Sequence, residues 1–190
     1  MNRGNHYEAA FEAFLRDRRM PYVAVDESKK ALFAGSKLKS FDFVVYAKDG
    51  PNLLVDVKGR KTLGDKPPQT WATRRDVDDL YEWERIFGDD FRAVFAFAFE
   101  VDPVLAGPPG HFVHTPGEAK VPQTISRHYL MMGVNLRDYR DHMSRRSEKW
   151  DTVALPLPEF RELARPMDHW LGLEPQDAVL PGMESAASSE

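Results

Sequence analysis

The chain has 190 residues, a length that supports one sizeable hydrophobic core and does not require two. It contains no cysteine, which excludes disulfides and thiolate metal sites, so any metal must be held by oxygen or imidazole ligands. The net charge is −4, yet residues 1–66 carry 13 Lys and Arg against 9 Asp and Glu. The longest apolar run, Ala93 to Phe99, is too short to span a bilayer, and the N-terminus lacks the apolar stretch of a signal peptide. We therefore expect a cytoplasmic protein with no membrane contact.

The first predicted element is an amphipathic helix from Asn5 to Arg19. Its apolar residues recur at helical spacing: Tyr7, Ala10, Phe11, Phe14 and Leu15. Asn5 is the predicted N-cap, which places Glu8 at the third helical position.

A polar stretch, Asp26 to Ser40, follows a short predicted strand from Tyr22 to Val25. It contains several lysines: Lys29, Lys30, Lys37 and Lys39. This composition predicts a loop that is either mobile or in contact with a partner, with a short helical turn near Ala31–Phe33.

Two strands are predicted on either side of a turn, namely Phe41 to Ala47 and Asn52 to Lys58. Because side chains alternate along a strand, Asp56 and Lys58 share one face. A two-residue turn would put Asp42 on the other face. A three-residue loop, residues 48–50, makes paired residue numbers add to 98, which sets Asp42 opposite Asp56. It also puts Gly50 at the left-handed position that such loops need. We predict that loop.

The next two elements are a helix and a strongly apolar strand. The helix is predicted from Thr73 to Phe87 and ends at Gly88. The strand, Phe91 to Val101, has phenylalanines on one side and small residues on the other, as expected for a central strand covered on both faces. The order α-β-β-β-α-β results. Less regular elements are predicted beyond it: a surface loop from Asp102 to Pro122, a strand at Tyr129 to Val134, a helix capped by Asn135, a strand at Thr152 to Leu155 and a helix at Pro158 to Ala164.

The paired strands bring together the groups that phosphodiester cleavage requires. Two carboxylates on facing positions repel each other unless a cation sits between them, and Lys58 adds an ammonium beside the same point. A divalent ion held by Asp42 and Asp56 would polarise a phosphate and lower the pKa of a bound water. Carboxylates favour hard ions, so Mg²⁺ or Mn²⁺ is the expected cofactor. Glu8 of the first helix would complete the metal shell, although Glu12, one turn later on the same side, is an equal candidate by geometry.

The same residues resemble a known family. The carried-over elements are Gly4-x-x-x-Glu8 opening the first helix, Ser40-Phe-Asp42, and Val55-Asp-Val-Lys58. They are similar to the motifs of the PD-(D/E)xK nuclease superfamily, and closest in pattern to archaeal-type Holliday-junction resolvases. Two departures occur: Phe41 stands where a proline is usual, and the Gln-x-x-x-Tyr motif of some relatives is absent.

The resemblance implies a restriction-endonuclease-like fold, a mixed sheet flanked by helices. It also implies a metal-dependent endonuclease that leaves 5′-phosphate ends. Asp42 and Asp56 would bind metal with the carbonyl of Val57, and Lys58 would serve the nucleophilic water. Resolvase activity requires a symmetric dimer, so a homodimer is one expectation.

The likeness covers about the first hundred residues and predicts the domain organisation. Residues 1–101 are expected to form the nuclease core, residues 102–180 an extension packed on it, and residues 181–190 a disordered tail. Nucleic acid is the expected partner, with DNA favoured over RNA, and it would be contacted by Lys39, Ser40, Arg60 and Lys61. The acidic C-terminal part favours an alternative: a nucleic-acid-binding or assembly module that keeps the fold without turnover. The pair His111-x-x-His114 is a weak zinc candidate, with Glu118 nearby.

Overall fold

The computed structural model describes residues 5–25, 32–33, 36–62, 66–103, 107–116 and 126–173. In this part of the chain the helices are α1 (His6–Asp17), α2 (Arg74–Phe87), α3 (Leu136–His142), α4 (Leu157–Leu163) and α5 (Met167–Trp170). The strands are β1 (Tyr22–Ala24), β2 (Leu32–Phe33), β3 (Ser36–Lys37), β4 (Phe43–Val45), β5 (Asn52–Lys61), β6 (Trp71–Thr73), β7 (Phe91–Val101), β8 (His111–His114), β9 (Arg127–Asn135), β10 (Ser144–Ser147), β11 (Thr152–Ala154) and β12 (Arg165–Pro166). Gly4, Lys29, Lys30, Glu118 and the predicted tail from residue 181 lie outside the described residues.

One mixed sheet organises the molecule. Its strand order is β1-β4-β5-β7-β9-β12, and β8 also pairs with β9. β5 and β7 run parallel, whereas the other neighbours are antiparallel. Helices cover both faces, so the predicted α-β-β-β-α-β core with a mixed sheet flanked by helices is confirmed. Among the described residues, no helix is long and apolar enough to cross a membrane.

The two faces of β7 build two separate cores, as its alternating sequence predicts. Phe95, Phe97 and Phe99 pack with α2, α3 and α4 in what we call the α2-side core. The small residues on the other face pack with α1 and α5 in the α1-side core: Val94, Ala96 and Ala98. All six side chains are buried. A phenylalanine face and a small-residue face therefore let helices approach the same strand from both sides.

The register between β4 and β5 follows the predicted three-residue loop. The residue pairs Phe43↔Val55, Val44↔Leu54 and Val45↔Leu53 each add to 98, and Gly50 has φ +88°. The ladder ends at Phe43, however. The Asp42 N–H donates to the Val55 carbonyl at 2.9 Å, although Val55 is already paired with Phe43. Asp42 and Phe43 therefore both lie opposite Val55, as in a β-bulge. The expected pairing of Asp42 directly opposite Asp56 was therefore wrong, because the bulge redirects Asp42.

The predicted N-caps of the two long helices and the end of α2 are confirmed, whereas α1 ends at Asp17 rather than at Arg19. Asn5 caps α1 by accepting the Tyr7 N–H at 3.1 Å. Thr73 caps α2, and Gly88 ends it with φ +83°. A capping side chain satisfies one of the amide groups that the first helical turn leaves without a partner, which fixes where each helix begins.

Several short elements differ from the expectations. β8 lies inside the predicted surface loop from Asp102 to Pro122, and pairs with β9 from His111 to His114. β2 and β3 form an antiparallel pair where a helical turn was expected. β6, β10 and β11 form a separate three-stranded sheet. The described strands beyond residue 101 thus include members of the main sheet, and the division of the chain at residue 101 stays a prediction.

Candidate active site

Strand β5 places Asp56 and Lys58 side by side on the α2 side of the sheet. Both are buried, each with 8% of its surface exposed. The Lys58 ammonium donates to Oδ2 of Asp56 at 2.9 Å and lies 5.3 Å from the centre of the Phe95 ring. A buried charge is stable only when it is paired and hydrogen-bonded, and this pair meets that condition.

A second carboxylate holds Lys58 from the opposite direction. Oδ2 of Asp76, on the first turn of α2, accepts the Lys58 ammonium at 2.9 Å. Asp76 is itself buried and belongs to the capping box of α2. It accepts the Thr73 N–H at 3.1 Å, and its own N–H donates to the Thr73 hydroxyl at 3.0 Å. The sequence analysis missed Asp76. The Thr73-x-x-Asp76 spacing signals the helix cap but not the contact with Lys58.

The three charges shift one another's pKa values. Burial lowers the pKa of Lys58, but Asp56 and Asp76 outweigh burial and hold that pKa above its ordinary value. Burial raises the pKa of Asp76, but Lys58 and Lys39 outweigh it and the pKa lies well below its usual range. Burial keeps the pKa of Asp56 raised despite Lys58. Lys58 is therefore a cation at neutral pH, and burial disfavours the charged form of Asp56 whereas the charged form of Asp76 is favoured.

Asp42 lies where β4 leaves β5. Its Oδ2 accepts the Val57 N–H at 2.6 Å. In a regular antiparallel ladder, a backbone carbonyl of the segment that precedes β4 would accept this N–H instead. Asp42 is buried, with 6% of its surface exposed. Since the N–H and C=O of a strand residue point to the same neighbour, the Val57 carbonyl faces this gap as well. The bulge at Asp42 thus directs a carboxylate and a carbonyl to one end of the strand pair.

Helix α1 reaches β5 from the opposite face. Gly59, directly after Lys58, accommodates the Tyr7 ring so closely that a Cβ there would come within 2.1 Å of it. Glu8 follows Tyr7 and accepts a hydrogen bond from Asn5 Nδ2 at 2.7 Å. The Lys58 ammonium pairs with Asp56 and Asp76 rather than with Glu8. Tyr7 therefore packs the first turn of α1 against β5 directly after Lys58, and Glu8 is the next residue of that turn.

Glu12, the alternative to Glu8, is engaged elsewhere. Its Oε1 accepts from Arg16 at 2.7 Å and from the Tyr22 hydroxyl at 2.8 Å. These contacts link the middle of α1 to β1 and direct the carboxylate away from β5. The choice of Glu8 over Glu12 stays a prediction made from the spacing of the motif.

Lys39 and Ser40 are fixed against α2. The Lys39 ammonium pairs with Oδ1 of Asp76 at 2.5 Å, and its N–H donates to Asp79 at 2.9 Å. The Trp83 indole N–H donates to the Lys39 carbonyl at 2.8 Å. Ser40 Oγ contacts the Phe41 carbonyl at 3.4 Å. Lys39 therefore lies beside Asp76, which also pairs with Lys58, and about half of the Lys39 side chain is exposed.

Arg60 and Lys61 continue β5 beyond the site. The Arg60 guanidinium donates to the carbonyls of Gly59 and Trp71 and lies 4.0 Å from the centre of the Trp71 ring. Burial lowers its pKa to about 10, so Arg60 remains charged at neutral pH. Lys61 is exposed. Arg60 is thus a fixed cation and Lys61 an exposed one, both on the strand that carries Lys58.

Comparison with known proteins indicates the fold of the chain. No protein-family model matches the chain, and no curated protein does. Among solved structures, the chain is similar to Hjc from Archaeoglobus fulgidus, a Holliday junction resolvase from an archaeal hyperthermophile. The TM-score is 0.52 at 14% identity, covering 92% of this chain and 100% of that chain. The chain has a restriction-endonuclease-like fold. The resemblance that the motifs indicate is therefore confirmed at the level of the fold.

The donor atoms of the candidate site fit a hard cation. Asp42, Asp56 and the Val57 carbonyl offer oxygen atoms only, and Mg²⁺ is commonly bound by one or two carboxylates with waters and substrate phosphates. Among the described residues, no group of three or more His, Asp or Glu side chains is placed to hold a metal ion by itself. The same finding applies to the zinc candidate His111-x-x-His114: the neighbour of His111 Nε2 is His128 Nδ1, at 3.1 Å, and Glu118 lies outside the described residues.

Proposed function

We propose that the chain is a metal-dependent nuclease that hydrolyses phosphodiester bonds in DNA, with Asp42, Asp56 and Lys58 at its centre. The observation that carries the proposal is the buried Lys58 ammonium between Asp56 and Asp76, next to the bulge that directs Asp42 to the same end of β5. A buried cation beside a carboxylate whose charged form is disfavoured by burial is an arrangement that stability alone does not favour. The restriction-endonuclease-like fold supports the same assignment.

The metal would be Mg²⁺ or Mn²⁺, held by Asp42, Asp56 and the Val57 carbonyl, with Glu8 as the fourth member. When bound, such an ion polarises a phosphate oxygen and lowers the pKa of a bound water. The raised pKa of Asp56, caused by burial, supports the need for a further positive charge beside it.

Lys58 would act as a cation and hydrogen-bond donor. Because Asp56 and Asp76 keep its pKa above the ordinary value, it does not serve as a base at neutral pH. Its ammonium would orient the attacking water or a phosphate oxygen and stabilise negative charge that develops during cleavage. Asp76 would be a positioning residue that holds the ammonium in place from α2.

The substrate would be DNA cut internally, including branched DNA, since the structurally similar protein is a Holliday junction resolvase. Lys39, Ser40, Arg60 and Lys61 surround the site along β5 and its junction with α2, and would contact phosphates. A homodimer would place two such sites on one branched substrate.

The test is cleavage of plasmid, linear, single-stranded and four-way-junction DNA in Mn²⁺ by the wild type and by Lys58→Ala. Lys48→Ala, an exposed lysine on the β4–β5 turn, is the matched control. We expect cutting by the wild type and Lys48→Ala and loss of cutting in Lys58→Ala, with circular dichroism showing that each variant is folded. Equal cutting by Lys58→Ala would exclude Lys58 from the reaction.

The alternative is a binding or assembly module without turnover. The specific observation in its favour is that three carboxylates are not gathered at one point among the described residues. Binding of DNA without cutting in either metal, unchanged in Lys58→Ala, would favour this alternative over the nuclease.

A further inference from the structure

The turn between β10 and β11 presents an aromatic ring to solvent. Trp150 has 69% of its surface exposed, the largest fraction of any large hydrophobic side chain in the described chain. The Lys149 ammonium lies 5.3 Å from the centre of its ring. A single exposed aromatic residue is common at protein surfaces, so the meaning of Trp150 depends on where the turn lies and what surrounds it.

Two contacts attach this turn to the start of α2. The Arg74 N–H donates to the Asp151 carbonyl at 2.9 Å, and Thr152 pairs with Thr73. Thr73 caps α2 together with Asp76, and Asp76 holds Lys58. The turn is therefore attached to the helix end that touches the proposed catalytic lysine.

A second connection runs through the Trp71 ring. The Arg60 guanidinium lies 4.0 Å from the ring centre, and the Arg146 guanidinium of β10 lies 5.3 Å from it. Arg60 follows Lys58 by two residues, so both point to the same face of β5. The sheet of β6, β10 and β11, which carries Trp150, is thus connected to the proposed site in two ways: through the start of α2 and through the Trp71 ring.

The hairpin that carries the exposed ring also carries basic side chains. Arg145, Arg146 and Lys149 are exposed, against the acidic Glu148 and Asp151. Arg145 Nη1 lies 3.5 Å from Glu148 Oε1, and both side chains are largely exposed. Glu148 therefore offsets the charge of Arg145 only weakly. Proteins bind unpaired nucleotides with such a combination of an aromatic ring and exposed cations. The bases stack on the ring and the phosphates contact the cations.

We propose that residues 144–154 form a substrate arm that binds unpaired bases of DNA beside the cleavage point, with Trp150 stacking on a base and Arg145 and Lys149 contacting phosphates. The position of the arm beside a cut rests on the proposed nuclease function. Its binding of unpaired bases does not, because stacking and phosphate contact need neither metal nor Lys58.

The experiment measures binding of a fluorescent oligothymidylate and of a blunt duplex by anisotropy, in EDTA. Trp150→Ala is expected to weaken oligothymidylate binding by about fivefold or more, since base–aromatic stacking has that strength, and to leave duplex binding nearly unchanged. Trp150→Phe should retain most of the affinity. Lys149→Ala should weaken binding to both DNAs, whereas Arg161→Ala, an exposed arginine on α4, should change neither.

Equal binding of oligothymidylate by Trp150→Ala and the wild type would overturn the proposal. An equal loss of affinity for oligothymidylate and duplex in Trp150→Ala would also overturn it. So would a change in the oligomeric state of Trp150→Ala on sedimentation, because a second copy of the chain would then pack on the Trp150 ring. Failure of the nuclease proposal is distinguishable: the wild type would not cut DNA in Mn²⁺, yet the Trp150-dependent preference for unpaired bases would persist in EDTA.

Discussion

Asp76, on the first turn of α2, accepts the ammonium of Lys58, on β5, at 2.9 Å. The same carboxylate closes the capping box of its own helix. One side chain therefore fixes both the start of a helix and the position of a buried cation on the neighbouring strand.

Asp76→Asn should lower the free energy of unfolding by about 2 kcal/mol or more, because a buried ammonium loses one of its two anionic partners. Thr73→Ala, which removes the cap and keeps the ion pair, should cost only about 1 kcal/mol. Urea denaturation of both variants measures the difference. Equal losses would mean that the contact with Lys58 contributes no stability.

The pH dependence of stability should carry the signature of Asp76. Its folded pKa lies below the unfolded value of 3.8, so its stabilising contribution is complete above that value and is lost as the pH falls below it. Between about pH 4 and pH 2, in EDTA, the wild type should therefore lose more stability than Asp76→Asn. Parallel stability curves for the two proteins in this range would show that the pKa is not depressed.

Gly59→Ala should destabilise the protein by about 1–3 kcal/mol, because the new methyl group would overlap the Tyr7 ring and force α1 away from β5. Tyr7→Ala in the same chain should recover part of that loss, since it removes the overlapping atoms. Thermal unfolding of the single and double variants forms the cycle. Additive losses of stability in the double variant would show that Gly59 and Tyr7 are not in contact.

Mn²⁺ should raise the thermal midpoint of the wild type through binding to the folded state. Asp42→Asn and Asp56→Asn should remove that rise, and Glu8→Gln should reduce it. Glu12→Gln should leave it unchanged, because Glu12 is bonded to Arg16 and Tyr22. A loss in Glu12→Gln with none in Glu8→Gln would reverse the assignment of the α1 ligand.

Lys61→Ala should weaken DNA binding without changing stability, because its side chain is exposed at the end of β5. If Lys61 meets a phosphate, the slope of log affinity against log salt should fall by about one. Arg161→Ala provides the comparison on a remote helix. An unchanged slope would remove Lys61 from the DNA-binding surface.

The hairpin that carries the site could be predicted because its rule is local. Alternation places Asp56 and Lys58 together, and loop length sets the register that the structure has. The bulge at Asp42 could not be predicted, since it depends on where β4 diverges from β5. Asp76 was missed for a related reason: its capping spacing is visible in sequence, whereas its distance from Lys58 arises only when α2 packs on the sheet.

The short strand β8 shows a different limit of sequence analysis. Its four residues stand among prolines and glycines, which predict a loop. Its partner β9 supplies the reason for the extended conformation, since a neighbouring strand satisfies its backbone groups. Such an element depends on tertiary structure rather than on local propensity.

The pairing of β7 with β9 has a consequence for how the chain can be divided. A fragment ending at residue 101 would leave β7, eleven residues long, as the outer strand of the sheet. It would also uncover the phenylalanine face that Tyr139 and Phe160 now contact. A long apolar strand with open hydrogen-bonding groups is a template for self-association. On the ribosome, the first half of this chain would therefore need protection from aggregation until β9 emerges.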